Sequence, residues 1–580
     1  MNGSQDEGSA ALDTRVHAIL ARAWASLSPQ SAMLAWLDWA SHMAVSPGRQ
    51  ADLAGLALSQ AAQLAGYLRE CLMAGPGAAR ACVEPPAQDR RFDAPEWRGW
   101  PYNLWHQSFL MAQQWWAEAT RGVRGVERHH EKLAAFWARQ WLDMLSPGNH
   151  LLTNPVALRR TAEEGGANLA RGMLYLLDNQ RRRLTGLPPE GAEAFEVGRD
   201  LAVTPGKVVL RNRLIELIQY APATGQVRPE PILIVPAWIM KYYILDLSPH
   251  NSLIRYLVAQ GHTVFCISWK NPGAAESDLG MEDYLDLGFR TALAAVEAIV
   301  PGSRVHATGY CLGGTLLAMA AAAMARDGEL DRLASLSLFA AQTDFSEPGE
   351  LALFIDESQL ALLEAQMQDK GYLRADQMAG AFQMLRSYDL LWSRVVNEYL
   401  LGERRPINDL MAWNADATRL PARMHAQYLR RLFLDDDLSE GRYPVDGRPV
   451  SLGGLTLDTF CVGTVTDHVA PWRSVYKLHY LCPAQLTFVL TSGGHNAGIV
   501  SEPGRPHRRY QVLARPAGGH YIAPQEWERT APAHEGSWWP QWQAWLAARS
   551  GPAQPPPGMG APARGYAALC DAPGTYVKEK

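Results

Sequence analysis

Gly309-Tyr310-Cys311-Leu312-Gly313-Gly314 decides the fold. Residues 303–309 before it read as a buried strand, and the alanine-rich residues 315–326 after it as a helix, so the hexapeptide sits on a sharp strand-to-helix turn. Glycines on both sides of residue 311 let strand and helix pack closely around a side chain held in a strained backbone conformation. The helix sets its positive end beside the Cys311 sulfur and turns the Leu312 N–H into a donor for an oxyanion. The spacing is that of the G-x-S-x-G elbow with cysteine in place of serine. The plainer alternative is an inert cysteine in a turn. The other six cysteines (71, 82, 266, 461, 482, 570) lie in no such turn and read as packing residues.

Working outward, residues 231–236 form a continuous apolar run, as a strand buried on both faces requires; 251–260 read as a helix and 261–269 as the next strand. Strand, helix, strand at this spacing specifies a parallel sheet. Strands are also expected at 207–210, 214–220, 333–340, 459–463 and 486–490, and a helix at 281–300. Between about 342 and 444 the alternation is lost, and this mostly helical stretch reads as a cap over the site.

An elbow of this kind needs an acid and a histidine further along, in that order, each after a late strand. Asp467 satisfies the first requirement in Gly463-Thr464-Val465-Thr466-Asp467-His468, and His495 the second in Ser492-Gly493-Gly494-His495-Asn496-Ala497-Gly498. His468 is the rival base, but a histidine adjacent to the aspartate on one loop would point elsewhere. The second oxyanion donor is expected within Pro236-Ala237-Trp238-Ile239-Met240-Lys241, with Ala237 and Trp238 as candidates beside Leu312, Gly309 and Gly313 of the elbow. The fold class is therefore α/β, an α/β-hydrolase fold with a mostly helical cap insertion. An all-α N-terminal region precedes it.

At 580 residues the chain is too long for one simple core. Residues 14–179 show apolar positions at three- and four-residue spacing, and a composition shift puts the boundary near 190. The division expected is a helical domain over 1–190 with 1–13 disordered, a catalytic domain over 191–550, and a Pro/Gly/Ala-rich tail over 551–580. Trp97, Trp100, Trp105, Trp115, Trp116, Trp137 and Trp141 crowd the helical part, either as interhelical packing or as a sticky surface; a second tryptophan cluster (538, 539, 542, 545) lies near the end. Hydrophobic residues at 47% and charged residues at 19% describe a folded globular protein. A net charge of -5 and the lack of zinc-finger spacing argue against nucleic acid. No signal peptide or membrane span is read, and seven scattered cysteines without a C-x-x-C pair suit reduced thiols in the cytoplasm.

Cysteine at the elbow carries a chemical consequence. A serine would form an oxygen ester and lose much of a thioester's free energy, whereas cysteine exchanges one thioester for another almost isoenergetically. The acyl group stays activated for transfer to an alcohol, and a cap would exclude water.

Long co-linear strings also resemble the class I polyhydroxyalkanoate synthases. They include Ser146-Pro147-Gly148-Asn149, Leu201-Ala202-Val203-Thr204-Pro205-Gly206, Lys241-Tyr242-Tyr243-Ile244-Leu245-Asp246-Leu247, the Cys311 box, Trp413-Asn414-Ala415-Asp416-Ala417-Thr418, Asp467-His468-Val469-Ala470-Pro471-Trp472 and Gly536-Ser537-Trp538-Trp539-Pro540. The chain departs from the family pattern at Arg91–Trp97 and again at Asn496–Gly504. The resemblance implies polymerisation of 3-hydroxyacyl-coenzyme A, with Cys311 carrying the acyl unit or growing polyester chain, His495 deprotonating the thiol, and Asp467 orienting His495 or assisting the attacking hydroxyl. It implies a homodimer at the surface of cytoplasmic polymer granules, no metal or other cofactor, and a secondary role for Asp246. Two other readings are a cysteine-type hydrolase, either a thioesterase or a lactone hydrolase, and a non-catalytic granule-surface protein.

Overall fold

The computed structural model describes residues 28–75, 79–85, 89–368 and 370–580. The expected disordered start at 1–13 lies outside them. Two compact units emerge among the described residues: one of Glu190–Met378 with Ile407–Lys580, the other of the chain up to Pro189 with Ala379–Pro406.

The first unit is organised by an eleven-stranded sheet. Its strands are β1 (Gly206–Arg211), β2 (Ile215–Tyr220), β3 (Ile232–Val235), β4 (Val264–Trp269), β5 (Val305–Tyr310), β6 (Leu333–Phe339), β7 (Thr459–Thr464), β8 (Leu486–Thr491), β9 (Arg509–Arg515), β10 (Ala533–Glu535) and β11 (Cys570–Asp571). Their order is β10-β9-β8-β7-β6-β5-β3-β4-β2-β1-β11. The six central strands, β8 through β4, run parallel, and the flanking ones are antiparallel. Every residue of β3 through β8 is buried, as a sheet covered on both faces demands. That is why β3 reads in the sequence as an unbroken apolar run rather than as alternation.

Helix α1 (Leu312–Asp327) follows β5 and is buried from Leu312 through Met324. Alanine at 318 and 320–323 lets the helix lie close to the sheet, while Leu316, Leu317 and Met319 fill the space between. The expected helix over 281–300 is broken into a short α-turn, a π-helical segment over Tyr284–Arg290 and an α-helix over Thr291–Ile299. Gly288 lies within the π-segment, where an added Cβ would fall 2.6 Å from the Trp269 ring.

The residues expected to form the cap are divided between the units. Residues 342–378 and 407–444 stay with the sheet, whereas 379–406 group with the N-terminal helices, where Asn168 Nδ2 donates to Leu400 O at 2.7 Å and Arg160 pairs with Glu403. The stretch 551–580, read as a tail, is part of the sheet unit: β11 extends the sheet edge along β1, and Val577 is in the core.

The second unit contains the helices Pro29–Ala44, Pro47–Ala74, Tyr102–Ala119, Arg128–Leu145, Pro155–Glu163 and Ala167–Thr185. Trp97 is fully buried there, edge-on to Phe92, and the neighbouring Arg91 is held between Asp89 (2.7 Å) and Asp143 (3.0 Å). Trp100, Trp105 and Trp141 are exposed.

Candidate active site

Strand β5 ends at Tyr310, α1 begins at Leu312, and Cys311 between them takes φ +53°, ψ −126°. Holding a non-glycine residue there costs on the order of 1–3 kcal/mol. The turn is secured by the Cys311 N–H donating to Phe339 O at 2.8 Å and by Gly314 and Thr315 N–H donating to Cys311 O at 2.9 and 3.1 Å. Both glycines expected at the elbow are required sterically. A Cβ on Gly309 would lie 2.4 Å from the Gly314 Cα, and one on Gly313 would lie 2.1 Å from Val235 O. Only glycine lets the first turn of α1 press onto the end of β3.

That close approach brings the loop after β3 beside the elbow. The loop's carbonyls are engaged elsewhere, Pro236 O by Trp269 Nε1 (2.8 Å) and Trp238 O by Thr418 Oγ1 (2.9 Å). Among the described residues no acceptor takes the N–H of Leu312, Ala237 or Trp238. Two sets of uncommitted amides therefore flank Cys311, the arrangement an oxyanion needs.

Asp467 follows β7 and is almost fully buried. Its Oδ1 accepts from the Val469 and Ala470 N–H at 2.8 Å each, and its Oδ2 from Thr464 Oγ1 at 2.9 Å and from His495 Nδ1 at 2.8 Å. Burial pushes the carboxyl up, but the charge and hydrogen bond of His495 and the backbone donors outweigh it and hold the group below its ordinary value. Burial would likewise lower His495, yet the hydrogen-bonded Asp467 carboxylate and the nearby Cys311 sulfur raise the imidazole well above its ordinary range. Asp467 and His495 are thus joined by a hydrogen bond, with the half-buried Cys311 thiol near the imidazole.

Several residues that hold this line escaped the sequence reading. The Tyr310 ring stacks on His495 with centroids 5.6 Å apart, and its hydroxyl donates to Asn496 Oδ1 at 2.6 Å. Arg508 closes the histidine loop from below, donating to Ser492 O at 3.0 Å and Ala497 O at 2.7 Å. The indoles of Trp538 and Trp539 donate to Gly498 O (3.0 Å) and Ile499 O (2.9 Å). Tyr310 stood inside the motif, but Arg508 lies in an Arg/His-rich run that resembles a solvated loop. From the cap, Tyr428 faces the site: burial first, and then the nearby Cys311 sulfur, push its phenol well above the ordinary value.

The two secondary candidates fall elsewhere. Asp246 is wholly buried and accepts from Thr204 Oγ1 (2.5 Å) and Ser252 Oγ (2.6 Å), tying together two backbone segments. His468 sits with its carbonyl against Gly349 at the start of the cap, and the imidazole aligned between Asp467 and Cys311 is that of His495.

A parallel sheet, a strained strand–cysteine–helix elbow and an Asp and His presented after the later strands β7 and β8 define an α/β-hydrolase-fold protein with cysteine at the nucleophile position. The alpha/beta hydrolase fold model matches residues 230–502, and models of the Poly-beta-hydroxybutyrate polymerase (PhaC) N-terminus and the Poly-beta-hydroxybutyrate polymerase N terminal match 88–257 and 7–49. The poly(3-hydroxyalkanoate) polymerase of Methylorubrum extorquens is 42% identical over 509 residues, 86% of this chain and 82% of that protein. The poly(3-hydroxyalkanoate) polymerase subunit PhaC of Cupriavidus necator is 36% identical over 570 residues, 94% of this chain and 95% of its own length. The chain belongs to the poly(3-hydroxyalkanoate) polymerase family. Among solved structures, a Paleococcus ferrophilus monoacylglycerol lipase matches 58% of this chain and 99% of that chain at 10% identity and a TM-score of 0.33, a likeness on which nothing further rests.

Proposed function

We propose that this chain polymerises (R)-3-hydroxyacyl-coenzyme A into polyhydroxyalkanoate through a thioester on Cys311. The observation that carries the reading is the hydrogen-bonded Asp467–His495 pair near Cys311 at a strained elbow, in a chain of this family. His495 accepts the thiol proton, and the imidazolium is stabilised by Asp467. The sulfur attacks the thioester carbonyl, the oxyanion is received by the N–H groups of Leu312 and of the Ala237–Trp238 loop, and coenzyme A leaves with the proton from His495. In the second half, a chain hydroxyl gives its proton to His495 and attacks the Cys311 thioester; the new ester forms and the thiol is restored. The second half runs downhill because an oxygen ester replaces a thioester.

The chemistry is written with side chains and the substrate alone, so no metal or cofactor is part of the proposal. Work as a homodimer at the surface of cytoplasmic polymer granules belongs to the same reading, and the family membership supports it. No helix among the described residues is long and apolar enough to cross a membrane.

Purified protein is incubated with 3-hydroxybutyryl-coenzyme A, thiol release is followed and the product analysed. Polymer is the expected product. Free hydroxyacid as the sole product contradicts the reading and identifies a hydrolase; coenzyme A release that does not require Cys311 contradicts the nucleophile assignment.

A further inference from the structure

Lys241 is a buried cation that the proposed chemistry does not use. It closes the loop that starts at Pro236, and it is 4% exposed. Its ammonium donates to two backbone carbonyls from the far end of the chain, Val577 O at 2.9 Å and Glu579 O at 2.5 Å. A buried lysine is costly unless its hydrogen bonds are made, and burial lowers this one to about 8 despite the nearby Asp416. Its partners are carbonyls on an otherwise fixed segment.

The segment is fixed independently of Lys241. The buried carboxylate of Glu216 on β2, paired with Arg211, accepts from the Thr575 N–H (2.8 Å), Thr575 Oγ1 (2.8 Å) and the Tyr576 N–H (3.0 Å). Tyr576 OH reaches Asn212 O at 2.6 Å, and Val577 is buried in the core. On the other side of the loop, residues 413–418 of the cap supply further ties. Trp413 Nε1 donates to Lys241 O at 2.8 Å, Met240 bridges to Ala417, and Thr418 donates to Trp238 O. Lys580 and Tyr243 converge on Asp416, at 2.8 and 3.0 Å. The residues between Pro236 and Lys241 are thereby clasped between two anchored segments, with their carbonyls drawn away and the Ala237 and Trp238 amides left uncommitted.

We infer that Lys241, through its bonds to the 577–579 backbone, is a positioning residue that sets the Ala237–Trp238 amides for the oxyanion formed at Cys311. The inference rests on the reading of those amides as oxyanion donors. A donor displaced by a fraction of an ångström forfeits much of its effect, and loss of one such donor costs roughly a hundred-fold or more in turnover.

The test uses two reactions of the same sulfur. Acyl transfer from 3-hydroxybutyryl-coenzyme A passes through an oxyanion; alkylation of Cys311 by iodoacetamide, read by mass spectrometry of the Cys311 peptide, does not. Lys241→Met keeps the length of the chain and removes the donors. It is expected to lower kcat roughly ten- to hundred-fold, with KM and the Cys311 alkylation rate within about two-fold of wild type. Truncation of residues 578–580, which removes the Glu579 carbonyl, is expected to lower kcat in the same direction, and adding Lys241→Met to it to cost less than the product of the two effects. Lys241→Arg, which restores a donor, is expected to recover part of the loss. Unchanged kcat in Lys241→Met overturns the inference, and so does a parallel fall in alkylation, which would mark a general loss of structure. Failure of the underlying reading looks different: wild-type protein would then release coenzyme A without dependence on Cys311.

Discussion

The chain has two tryptophan-rich stretches of similar composition and opposite fate. Near the C-terminal end, Trp538, Trp539 and Trp542 are fully buried, and each indole N–H has an acceptor: Gly498 O, Ile499 O and Ser337 Oγ. In the helical unit Trp97 is buried, but Trp100, Trp105 and Trp141 are 60%, 37% and 55% exposed. The lesson is that tryptophan density alone does not distinguish core from surface. What distinguishes them is the packing each stretch meets, and in the sheet unit two of these three indoles, Trp538 and Trp539, are further tied to carbonyls of the loop that carries His495. Aromatic mass near the C-terminal end is therefore part of the catalytic geometry.

The sharpest way to break this contrast is Trp538→Ala. Removing a fully buried indole against Phe339 and Phe460 should cost about 3–5 kcal/mol of stability in chemical denaturation. Turnover should also fall more than substrate affinity, because Gly498 loses its donor. Trp542→Phe keeps most of the volume and loses the bond to Ser337, and about 1–3 kcal/mol is expected in the same measurement, with turnover little changed. Trp141→Ala, at the exposed end of the comparison, should alter stability by no more than about 0.5 kcal/mol.

Protonation adds a pH dependence to the sheet unit. The sheet unit buries His262 and His425, lowered to about 4, and His306 and His479, lowered to about 3, in each case chiefly by burial. These histidines bind protons near pH 6.5 only when unfolded. Stability is therefore intact above pH 6.5 and is lost as pH falls from there toward 4, by about 1.4 kcal/mol per pH unit for each group. Melting temperatures measured between pH 7.5 and 4.5 should decline along this limb, and His306→Gln should flatten it. His495 differs in sign, since Asp467 holds it charged. In a Cys311→Ala background, Asp467→Asn should let burial prevail and bring the imidazole titration, followed by NMR, below 6.5.

The site was more legible in the sequence than the boundaries of the units. Cys311, Asp467 and His495 could be read because an elbow sits on six contiguous residues and because each later partner follows an apolar strand. The supports could not be read in the same way. Arg508, with two hydrogen bonds, and Trp538, with one, act on the backbone of the His495 loop, and no local pattern encodes such bonds. The same reason explains the 551–580 stretch. Proline and glycine there suggested a tail, while the contacts that order it, Glu216 to Thr575 and Lys241 to Val577, join residues more than 300 positions apart. Residues 379–406 form helical segments whose periodicity does not say which partner they pack against. Asp246 stood in a family string, but its bonds to Thr204 and Ser252 serve to hold the backbone.

The central claim, that Cys311 carries the acyl unit to an alcohol, is tested most directly by rapid quenching of the reaction with 3-hydroxybutyryl-coenzyme A and intact-mass analysis of the protein. Wild type should show hydroxybutyryl adducts that map to Cys311, with polymer accumulating as coenzyme A is released, and Cys311→Ala should show neither while melting as the wild type does. Acylation at another residue, or polymer made by a folded Cys311→Ala protein, would contradict it.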